Sequence, residues 1–359
     1  MKPYNHYDVL IVGAGIAGVS SAINLKKLNN KLKVLVIDKN KFPRNKLCAG
    51  YLTKKSVNYL EKLGLNVEDI NYKLVKGLSI FYKYKRRMHA NNHGLYCQEL
   101  VDRTILDYKL FEKLYDYDID VIENVKIEFF SEKENLVTLS NNKEYTFENI
   151  IFADGEMGYS SKYNEEKKKY FAMQINFKYK CDPKIDMFFA IAKKGYAWCA
   201  SSGEYVNIGF CDIYDKNTNY KKIFEDFVEK LGYKDYLNEN ETKGFFVPFG
   251  IKKNKIINNI YLVGDAVGAV DPLTLAGISY ALMSGEYVAK SIINKDDDIY
   301  LKYLKKLEVK FNVLALMSIL LYTKIFLFLS IRVGGKIFGG MFSYILDKFV
   351  LNKSNSFHE

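Results

Sequence analysis

Three glycines follow a short apolar run near the beginning of the chain, in the order Gly13-Ala-Gly15-Ile-Ala-Gly18. The run before them, residues 7–12, is rich in β-branched side chains and is typical of a buried parallel strand. In such a unit the first glycine permits a tight turn. The second lets a pyrophosphate approach the amides of a helix N-terminus, and the third lets helix and strand pack closely. The spacing therefore indicates a dinucleotide site.

An acidic residue stands where this kind of site needs one. A second apolar run, residues 33–37, ends at Asp38, twenty residues beyond Gly18. A carboxylate at this place accepts hydrogen bonds from the adenosine ribose hydroxyls. Ala17, inside the turn, and Lys39, after the acid, complete the first group of candidate contacts. The alternative is an ordinary strand–helix–strand unit whose glycines serve packing alone.

Two further strand ends bear on the choice between NAD and FAD. Residues 150–155 form an apolar run that ends in an acid and a glycine, and residues 260–265 repeat the pattern with Gly-Asp before a helix predicted over 279–293. An acid at a strand end can hold a ribityl hydroxyl, and the helix would direct its positive end at a flavin pyrimidine edge. An NAD dehydrogenase needs no such second turn, so FAD is favoured over NAD. The alternative is an ordinary strand-to-helix turn that binds no cofactor. The candidate contacts are Asp154, Gly155, Gly264, Asp265, Gly277 and Ile278.

An arginine marks the beginning of another predicted helix, over residues 101–110, with Asp102 as a possible cap. Arg103 is one of five arginines in a chain with 53 lysines and arginines together. Its presence among so many lysines suggests that planar guanidinium geometry is needed there.

Taken together, the glycine turn, Arg103, the pair at 154–155 and the pair at 264–265 resemble the FAD-dependent oxidoreductases of the para-hydroxybenzoate hydroxylase fold. The resemblance covers residues 7–155 and 255–293. It implies that Asp38 and Arg103 contact FAD and that Asp265 holds its ribityl or pyrophosphate region.

A narrower resemblance rests on residues 43–50, Pro-Arg-Asn-Lys-Leu-Cys-Ala-Gly, which are similar to a stretch of the geranylgeranyl reductase branch. Segments 195–198 and 206–209 resemble the tyrosine–tryptophan segment of its substrate sheet, and 246–248 its pre-flavin strand. Three positions depart from the branch: Cys199-Ala200 stand where Phe-Pro is frequent, and Ala276 stands where glycine is usual. The resemblance implies hydrogenation of prenyl double bonds by reduced FAD. It adds cofactor candidates Arg44, Lys46, Cys48, Ala49 and Gly50 and catalytic candidates Cys48, Tyr196 and Trp198.

The residues themselves support two interpretations of the thiol and of the indole. A cysteine beside Arg44 and Lys46 should have a lowered pKa if the three are close in space, and could then donate a proton at the flavin edge. The alternative is a small buried core cysteine. Trp198, the one tryptophan of the sequence, either lines an apolar substrate cavity or is a core aromatic residue.

The composition of the chain limits the classes of protein to which it can belong. The 359 residues predict about two domains, and 48% hydrophobic and 26% charged residues exclude a disordered chain. The net charge of +11 comes from lysines spread along the whole chain, which does not indicate a nucleic-acid surface. Five cysteines without CxxC spacing predict neither a disulfide framework nor a metal site, and favour a reducing cytoplasm.

The expected fold is mixed α/β, with a Rossmann-like FAD-binding domain, an inserted antiparallel-sheet substrate domain and a C-terminal helical segment. The substrate domain should contain strands at 169–178, 187–192 and 205–210 and a helix at 220–231. The predicted boundaries are 1–70, 95–160 and 255–295 for the FAD domain, 71–94 and 161–254 for the substrate domain, and 296–359 for the helical segment.

The end of the chain is its most apolar part. Residues 311–331 reach the length of a membrane span, but Asn312 and Lys324 interrupt them, and a central lysine costs about 3 kcal/mol on insertion. Helices packed on the substrate domain are expected for 311–351. A helix in the bilayer interface, giving peripheral membrane contact, is the second reading, and a true span the third.

The sequence favours a cytoplasmic FAD-dependent reductase of a small apolar substrate, with a prenyl lipid as the candidate substrate and membrane association as the alternative to a purely cytoplasmic location. No second glycine-rich turn is present for a nicotinamide. NAD(P)H should therefore bind transiently, or a redox protein should supply electrons. The alternatives are a flavin monooxygenase or halogenase, and a non-catalytic flavoprotein docked on a membrane. The oligomeric state is left open.

Overall fold

A computed structural model describes residues 5–46, 48–70, 72–75, 77–91, 95–98, 103–164 and 169–322. Its strands are β1 (Asn5–Val12), β2 (Val34–Ile37), β3 (Leu52–Thr53), β4 (Tyr72–Leu74), β5 (Gly77–Tyr82), β6 (Lys85–Asn91), β7 (Leu95–Gln98), β8 (Asp120–Ile122), β9 (Ile127–Ser131), β10 (Leu136–Leu139), β11 (Glu144–Phe152), β12 (Lys169–Lys178), β13 (Lys184–Phe189), β14 (Tyr196–Ser201), β15 (Tyr205–Ile213), β16 (Lys243–Pro248), β17 (Ile256–Ile257) and β18 (Ile260–Leu262). Its α-helices are α1 (Ile16–Leu28), α2 (Lys54–Lys62), α3 (Thr104–Glu112), α4 (Tyr220–Lys230), α5 (Tyr236–Glu239), α6 (Ile278–Asn294) and α7 (Asp298–Tyr322). Short 3₁₀ helices cover Glu68–Ile70, Tyr115–Tyr117, Tyr159–Tyr163 and Gly264–Val267.

The first sheet carries the nucleotide-type motifs. Its strands run in the order β17-β18-β11-β1-β2-β8, and all neighbours from β18 to β8 are parallel. An antiparallel ribbon, β9-β10, extends it beside β11. The runs at 34–37 and 150–152 are fully buried, as expected for parallel strands covered on both faces. Because β1, β11 and β18 are parallel, the three predicted strand ends lie at one edge of the sheet.

The two helices that follow β1 and β18 pack against each other. Gly285 of α6 lies so close to α1 that a Cβ there would stand 2.7 Å from the backbone nitrogen of Ser21. Ser20 donates from its hydroxyl to the carbonyl of Leu282 at 2.7 Å. The contact brings both helix N-termini to the same sheet edge.

The second sheet is the expected antiparallel layer, in the order β16-β12-β15-β14-β13-β5-β6, with one parallel pair, β13-β5. Its outer face is covered by α4, whose Phe224 and Phe227 are fully buried in the core between them. A third, three-stranded antiparallel sheet has the order β3-β7-β4. The fold class inferred from the sequence is confirmed, while the exact domain boundaries stay a prediction.

Most predicted elements are present with small shifts at their ends, and one strand was misplaced. The sequence predicted a strand over 187–192, whereas β13 runs over Lys184–Phe189. The backbone turns at Ala190, whose φ is +65°, a left-handed conformation that ends an extended strand. The apolar run continues past this turn, and hydrophobicity alone gave no sign of it.

The C-terminal helix packs mainly on the first sheet in its described part. Phe311 and Leu314 of α7 are buried in the core of the first sheet, and the Phe311 ring meets the Tyr280 ring of α6 edge-on at 5.0 Å. Further along the helix, the side chain of Ser318 is hydrogen-bonded to Tyr170 of β12, so α7 also contacts the substrate sheet. Packing of the whole 311–351 segment on the substrate domain stays a prediction. Within the described residues, no helix has the length and apolarity needed to cross a membrane. The rest of the 311–351 segment, including Lys324, lies outside the described residues.

The contact between α1 and α6 can be tested with Gly285→Val. The added side chain has no room against Ser20 and Ser21, and overpacking of this kind costs about 1–3 kcal/mol. We expect a lower midpoint of thermal unfolding than for Asn312→Val, which places the same side chain on an exposed helix position. Equal midpoints for the two variants would contradict the close approach of the helices.

Candidate active site

The glycine turn after β1 is built as its spacing predicts. Gly13 has φ of +106°, and a Cβ there would stand 2.5 Å from the carbonyl oxygen of Ala153. A Cβ on Gly18 would stand 1.9 Å from the carbonyl oxygen of Gly13. Gly15 is the N-cap of α1, and neither a capping side chain nor an acidic residue occupies the first turn. The amides at this N-terminus are therefore available to an anionic group.

Asp38 is fixed beside that turn. Its Oδ2 accepts the backbone N–H of Ala14 at 2.8 Å, and its Oδ1 accepts that of Asn40 at 2.8 Å. Its side chain is buried at the end of β2. The carboxylate is thus held in one orientation by backbone donors and keeps lone pairs for hydroxyl donors. The neighbouring Lys39 is exposed.

A buried carboxylate joins the two arginines of the site. Asp107 of α3 accepts from Nε and Nη2 of Arg103 at 2.9 and 2.6 Å through Oδ1, and its Oδ2 lies 3.4 Å from Nη1 of Arg44. The carboxyl group is fully buried. Nη2 of Arg44 lies 3.5 Å from the place where a Cβ on Gly15 would stand. Asp107 therefore holds a guanidinium group next to the N-terminus of α1.

One donor of this arginine is unused. Nε of Arg44 is buried, and no hydrogen-bond partner is found for it in the structure. A buried N–H without an acceptor costs about 1–3 kcal/mol, so the arrangement suits an acceptor group supplied from outside the chain. A phosphate oxygen between Arg44 and the free amides of α1 would meet this need.

Cys48 lies close to charged and aromatic groups of the site. The pKa of Arg103 is raised: burial lowers it, but the Asp107 carboxylate outweighs that effect, with further contributions from Cys48 and Asp265. Burial raises the pKa of Tyr196 well above its usual range, and Cys48 is among the groups that add to this. The thiol is thus within electrostatic reach of both Arg103 and Tyr196.

The other residues of the 43–50 segment connect the two sheets. Nζ of Lys46 lies 3.7 Å from a carboxylate oxygen of Asp265, and the amide of Gly50 donates to Sγ of Cys48 at 3.4 Å. Ala49 and Tyr51 pack on the inner face of the second sheet. This one segment therefore contacts the glycine turn after β1, Asp265 in the turn after β18, and the substrate sheet.

The turn at Gly264-Asp265, which follows β18, directly contacts the glycine turn that follows β1. Gly264 has φ of +60°, and a Cβ there would stand 2.8 Å from Cβ of Ala17. Its amide donates to Oγ of Ser284 at 3.0 Å. Gly277 is the N-cap of α6, again without a capping side chain or an acid in the first turn, and Ile278 opens the helix. A second helix N-terminus is thus presented at the same edge.

Asp271 shapes the loop that leads into α6. Its Oδ1 accepts the amides of Leu273 and Thr274 at 2.8 and 3.2 Å, while its Oδ2 is buried without a hydrogen-bond partner. Burial raises the pKa of this carboxyl group. The sequence showed an Asp-Pro pair here but gave no reason to place it in the site.

Asp154, predicted to contact the cofactor, is hydrogen-bonded to Ser160 through both carboxylate oxygens. Its two oxygens accept the amide and the hydroxyl of Ser160 at 2.9 and 2.6 Å, at the beginning of a 3₁₀ helix. Burial raises its pKa, against the hydrogen bonds from Ser160. Gly155 follows with φ of +81°. A cofactor contact by this pair stays a prediction, because the carboxylate is engaged within the chain.

Tyr196 and Trp198 lie on the inner face of the second sheet. The Tyr196 hydroxyl donates to the carbonyl of Thr274 at 2.6 Å, which ties the sheet to the loop before α6. The Trp198 indole lies over Gly209, where a Cβ would stand 2.2 Å from the ring, and its Nε1 donates to Oδ1 of Asn207. Both rings are buried in a cluster that includes Leu275.

Asp107 was not predicted as a site residue. It follows Arg103 by four positions on a predicted helix, so this spacing was a sufficient signal for its pairing with that arginine. The contact of Asp107 with Arg44 depends on tertiary structure alone.

The site fits a dinucleotide with a flavin at one end. Two uncapped helix N-termini, a spare guanidinium donor and a ribose-type carboxylate lie along one sheet edge, as FAD requires. In the described part of the chain, no group of three or more His, Cys, Asp or Glu side chains could hold a metal ion.

Removal of the Asp107 charge tests the arginine arrangement. Asp107→Asn leaves the buried Arg103 and the partly buried Arg44 without their carboxylate, and breaking a buried pair such as Arg103–Asp107 costs about 3–5 kcal/mol. We expect a lower urea midpoint and less FAD retained on purification. Asp116→Asn, which breaks an exposed pair with Lys113, should cost no more than about 1 kcal/mol and leave the FAD content unchanged. Equal effects of both changes would rule out the bridging role of Asp107.

Comparison with known proteins identifies the family of the chain. The family model described as pyridine nucleotide-disulphide oxidoreductase matches residues 7–178. An uncharacterized protein of Methanosarcina barkeri is 33% identical over 297 residues, which cover 80% of this chain and 74% of that protein. Digeranylgeranylglycerophospholipid reductase 3 of Methanosphaera stadtmanae is 30% identical over 334 residues, covering 80% of this chain and 79% of the relative.

Solved structures share the fold. A geranylgeranyl bacteriochlorophyll reductase-like protein from Thermoplasma acidophilum superposes with a TM-score of 0.73 at 20% identity, covering 98% of this chain and 93% of that one. The flavin-dependent brominase Bmp2 also reaches 0.73 at 16% identity, covering 96% and 90% of the two chains. By its sequence relatives and its site, the chain belongs to the geranylgeranyl reductase family of FAD-dependent oxidoreductases.

Proposed function

We propose that the protein reduces a carbon–carbon double bond of an apolar substrate, a prenyl lipid, with FAD as the hydride donor. The observation that carries this proposal is the place of Cys48. Its thiol is within electrostatic reach both of Arg103, on the nucleotide side, and of Tyr196, on the apolar face of the substrate sheet, and the next residue, Ala49, packs on that face. The names of the sequence relatives agree with a lipid substrate.

The apolar face supports an alkene rather than a charged substrate. Near the loop before α6 it is lined by Ala172, Phe189, Tyr196 and Cys211, all buried in one cluster. These side chains exclude water from the place where a double bond would meet the flavin. Exclusion of water prevents loss of hydride equivalents to solvent and strengthens the local electrostatic interactions.

The chain's own residues would divide the work as follows. Arg44 and the N-terminus of α1 would hold the pyrophosphate, Asp38 the adenosine ribose, and the N-terminus of α6 the pyrimidine edge. The chemistry that bound, reduced FAD would supply is a hydride for one alkene carbon. Cys48 would donate its thiol proton to the other carbon, and solvent would protonate the sulfur again. Tyr196, whose hydroxyl is bonded to Thr274, positions the loop rather than moving a proton.

The electrons come from outside the chain in this scheme. NAD(P)H would bind transiently and leave, or a redox protein would dock and reduce the flavin. Absorption spectra of the purified protein, recorded before and after addition of NADPH without air, distinguish the two donors. Loss of the oxidised-flavin bands on NADPH addition supports the nicotinamide.

Oxygen dependence separates the proposed reductase from its main rival. We expect alkene reduction to proceed without oxygen, and faster than in air, because oxygen consumes the reduced flavin. The measurement is product formation from a polyprenyl alcohol with chemically reduced enzyme in a glove box. A product that forms only in air and contains oxygen or halogen would make the protein a monooxygenase or halogenase instead.

The proton-donor role of Cys48 predicts a specific kinetic pattern. Cys48→Ala should retain FAD and still accept electrons, but alkene reduction should fall about 10²- to 10⁴-fold, the usual contribution of a general acid. Cys199→Ala serves as the matched control, because Cys199 is a buried cysteine on the outer face of the second sheet. Its rate of alkene reduction should stay near that of the wild type. Full turnover by Cys48→Ala would show that solvent supplies the proton.

We also propose that α7 docks the enzyme on an anionic bilayer, the source of a lipid substrate. Its outward side carries Lys305 and Lys306 and then turns apolar, with Val309, Val313 and Leu316 exposed by 61%, 46% and 61%. Lysines beside exposed apolar side chains suit anionic headgroups above an acyl layer.

Flotation with liposomes tests this contact. Leu316→Asp should reduce co-flotation with anionic liposomes, since a charge replaces an inserted side chain, and raised salt should weaken binding further. Met157→Asp changes an equally exposed apolar residue away from α7 and should float like wild type. Equal flotation of both variants would place the membrane contact elsewhere.

A further inference from the structure

The inner face of the substrate sheet is organised in cross-strand rows. Strand pairing places Gln174 of β12 opposite Gly209 of β15, and Gly209 opposite Trp198 of β14. Residues paired in this way point to the same face, so these three form one row. The row before it contains Ala172, Cys211 and Tyr196, and the row after it Asn176, Asn207 and Ala200.

The polarity of these rows changes along the strands. The row with Tyr196 is apolar and meets the loop before α6. Two residues further along, the Trp198 row contains a carboxamide, and two residues beyond it two asparagines face each other. Successive rows are about 7 Å apart. An amphiphilic molecule with its alkene beside Cys48 would therefore extend its other end toward amide groups.

The two asparagines are hydrogen-bonded to each other, and Asn207 is also bonded to the indole. Nε1 of Trp198 donates to Oδ1 of Asn207, and Nδ2 of Asn207 donates to Oδ1 of Asn176. This chain of amides fixes the indole over Gly209, which has no side chain to obstruct it. The Trp198 ring is thus oriented by polar partners, although its surroundings are mostly apolar.

Gln174 differs from its neighbours. It is only 2% exposed, and no residue that the structure describes donates a hydrogen bond to its Oε1. The one cation of its row, Lys243, lies 3.0 Å from Glu241 at the sheet edge. An unpartnered buried amide oxygen is rare in folded proteins, and it needs a donor.

We infer that Gln174 accepts a hydrogen bond from a hydroxyl group of the substrate, so that the substrate is a prenyl amphiphile with a free hydroxyl. This inference rests on the proposed function and names the polar end of its substrate. A neutral hydroxyl fits better than a phosphate, because the available group is an acceptor and the one cation of the row is engaged.

The test compares a polyprenyl alcohol with its methyl ether, which lacks the donor. Wild-type holoenzyme should bind and reduce the alcohol better, by roughly 5- to 100-fold in kcat/KM, the worth of one buried hydrogen bond. In Gln174→Met, which keeps the length but removes the acceptor, the preference should disappear. Without ligand this variant should melt at a higher temperature than wild type, because an unpartnered polar group has been replaced by an apolar one.

Met187→Leu is the matched control, since Met187 lies in the same row beyond Trp198 and carries no hydrogen-bonding group of this kind. It should keep the ratio between alcohol and ether whatever it does to the rate. An unchanged ratio in Gln174→Met, or equal use of both compounds by wild type, would overturn the inference and indicate that water satisfies the amide.

Binding measured apart from turnover keeps the two proposals distinguishable. Thermal stabilisation of oxidised holoenzyme by the alcohol and not by the ether, lost in Gln174→Met, supports the hydroxyl site even if no alkene is reduced. Reduction of both compounds at equal rates supports the reductase and removes the hydroxyl site. No stabilisation by either compound, with no reduction, would remove both.

Discussion

The direct contact between Ala17 and Gly264 governs the geometry of the site. Two turns that are about 250 residues apart in the chain meet there with no space for a Cβ on the second. Because α1 and α6 begin at these turns and run side by side, both uncapped N-termini face the same edge of the parallel sheet. A larger residue at either position would separate the helices, and one elongated cofactor could no longer reach both ends.

Charge at the site is organised by one carboxylate. Asp107 binds Arg103 through two short hydrogen bonds and holds Arg44 beside Gly15. The fully buried acid compensates two guanidinium groups that would otherwise repel each other. It leaves Nε of Arg44 as a buried donor without an acceptor among the residues that the structure describes. The arginine is thus preorganised for an anion, and binding then requires little further ordering of side chains.

The second sheet contributes a surface that changes from apolar to polar. Near the loop at Thr274 it presents aromatic and aliphatic side chains, and farther away it presents the amides of Gln174 and Asn207. The likeness of this fold to both reductases and a brominase shows that the architecture does not choose the chemistry. The chemistry must therefore be argued from the individual side chains of the site.

The sequence by itself determined the glycine turn, the acid at Asp38, the second turn at Gly264 and the mixed α/β class, because local spacing and strand hydrophobicity dictate these. It misplaced β13, since the left-handed turn at Ala190 has no hydrophobic signature. Only the tertiary structure decided that Arg44 shares Asp107 with Arg103 and that Oε1 of Gln174 finds no donor in the described part of the chain. These are contacts between distant segments, and their existence depends on strand register and helix packing that no local pattern encodes.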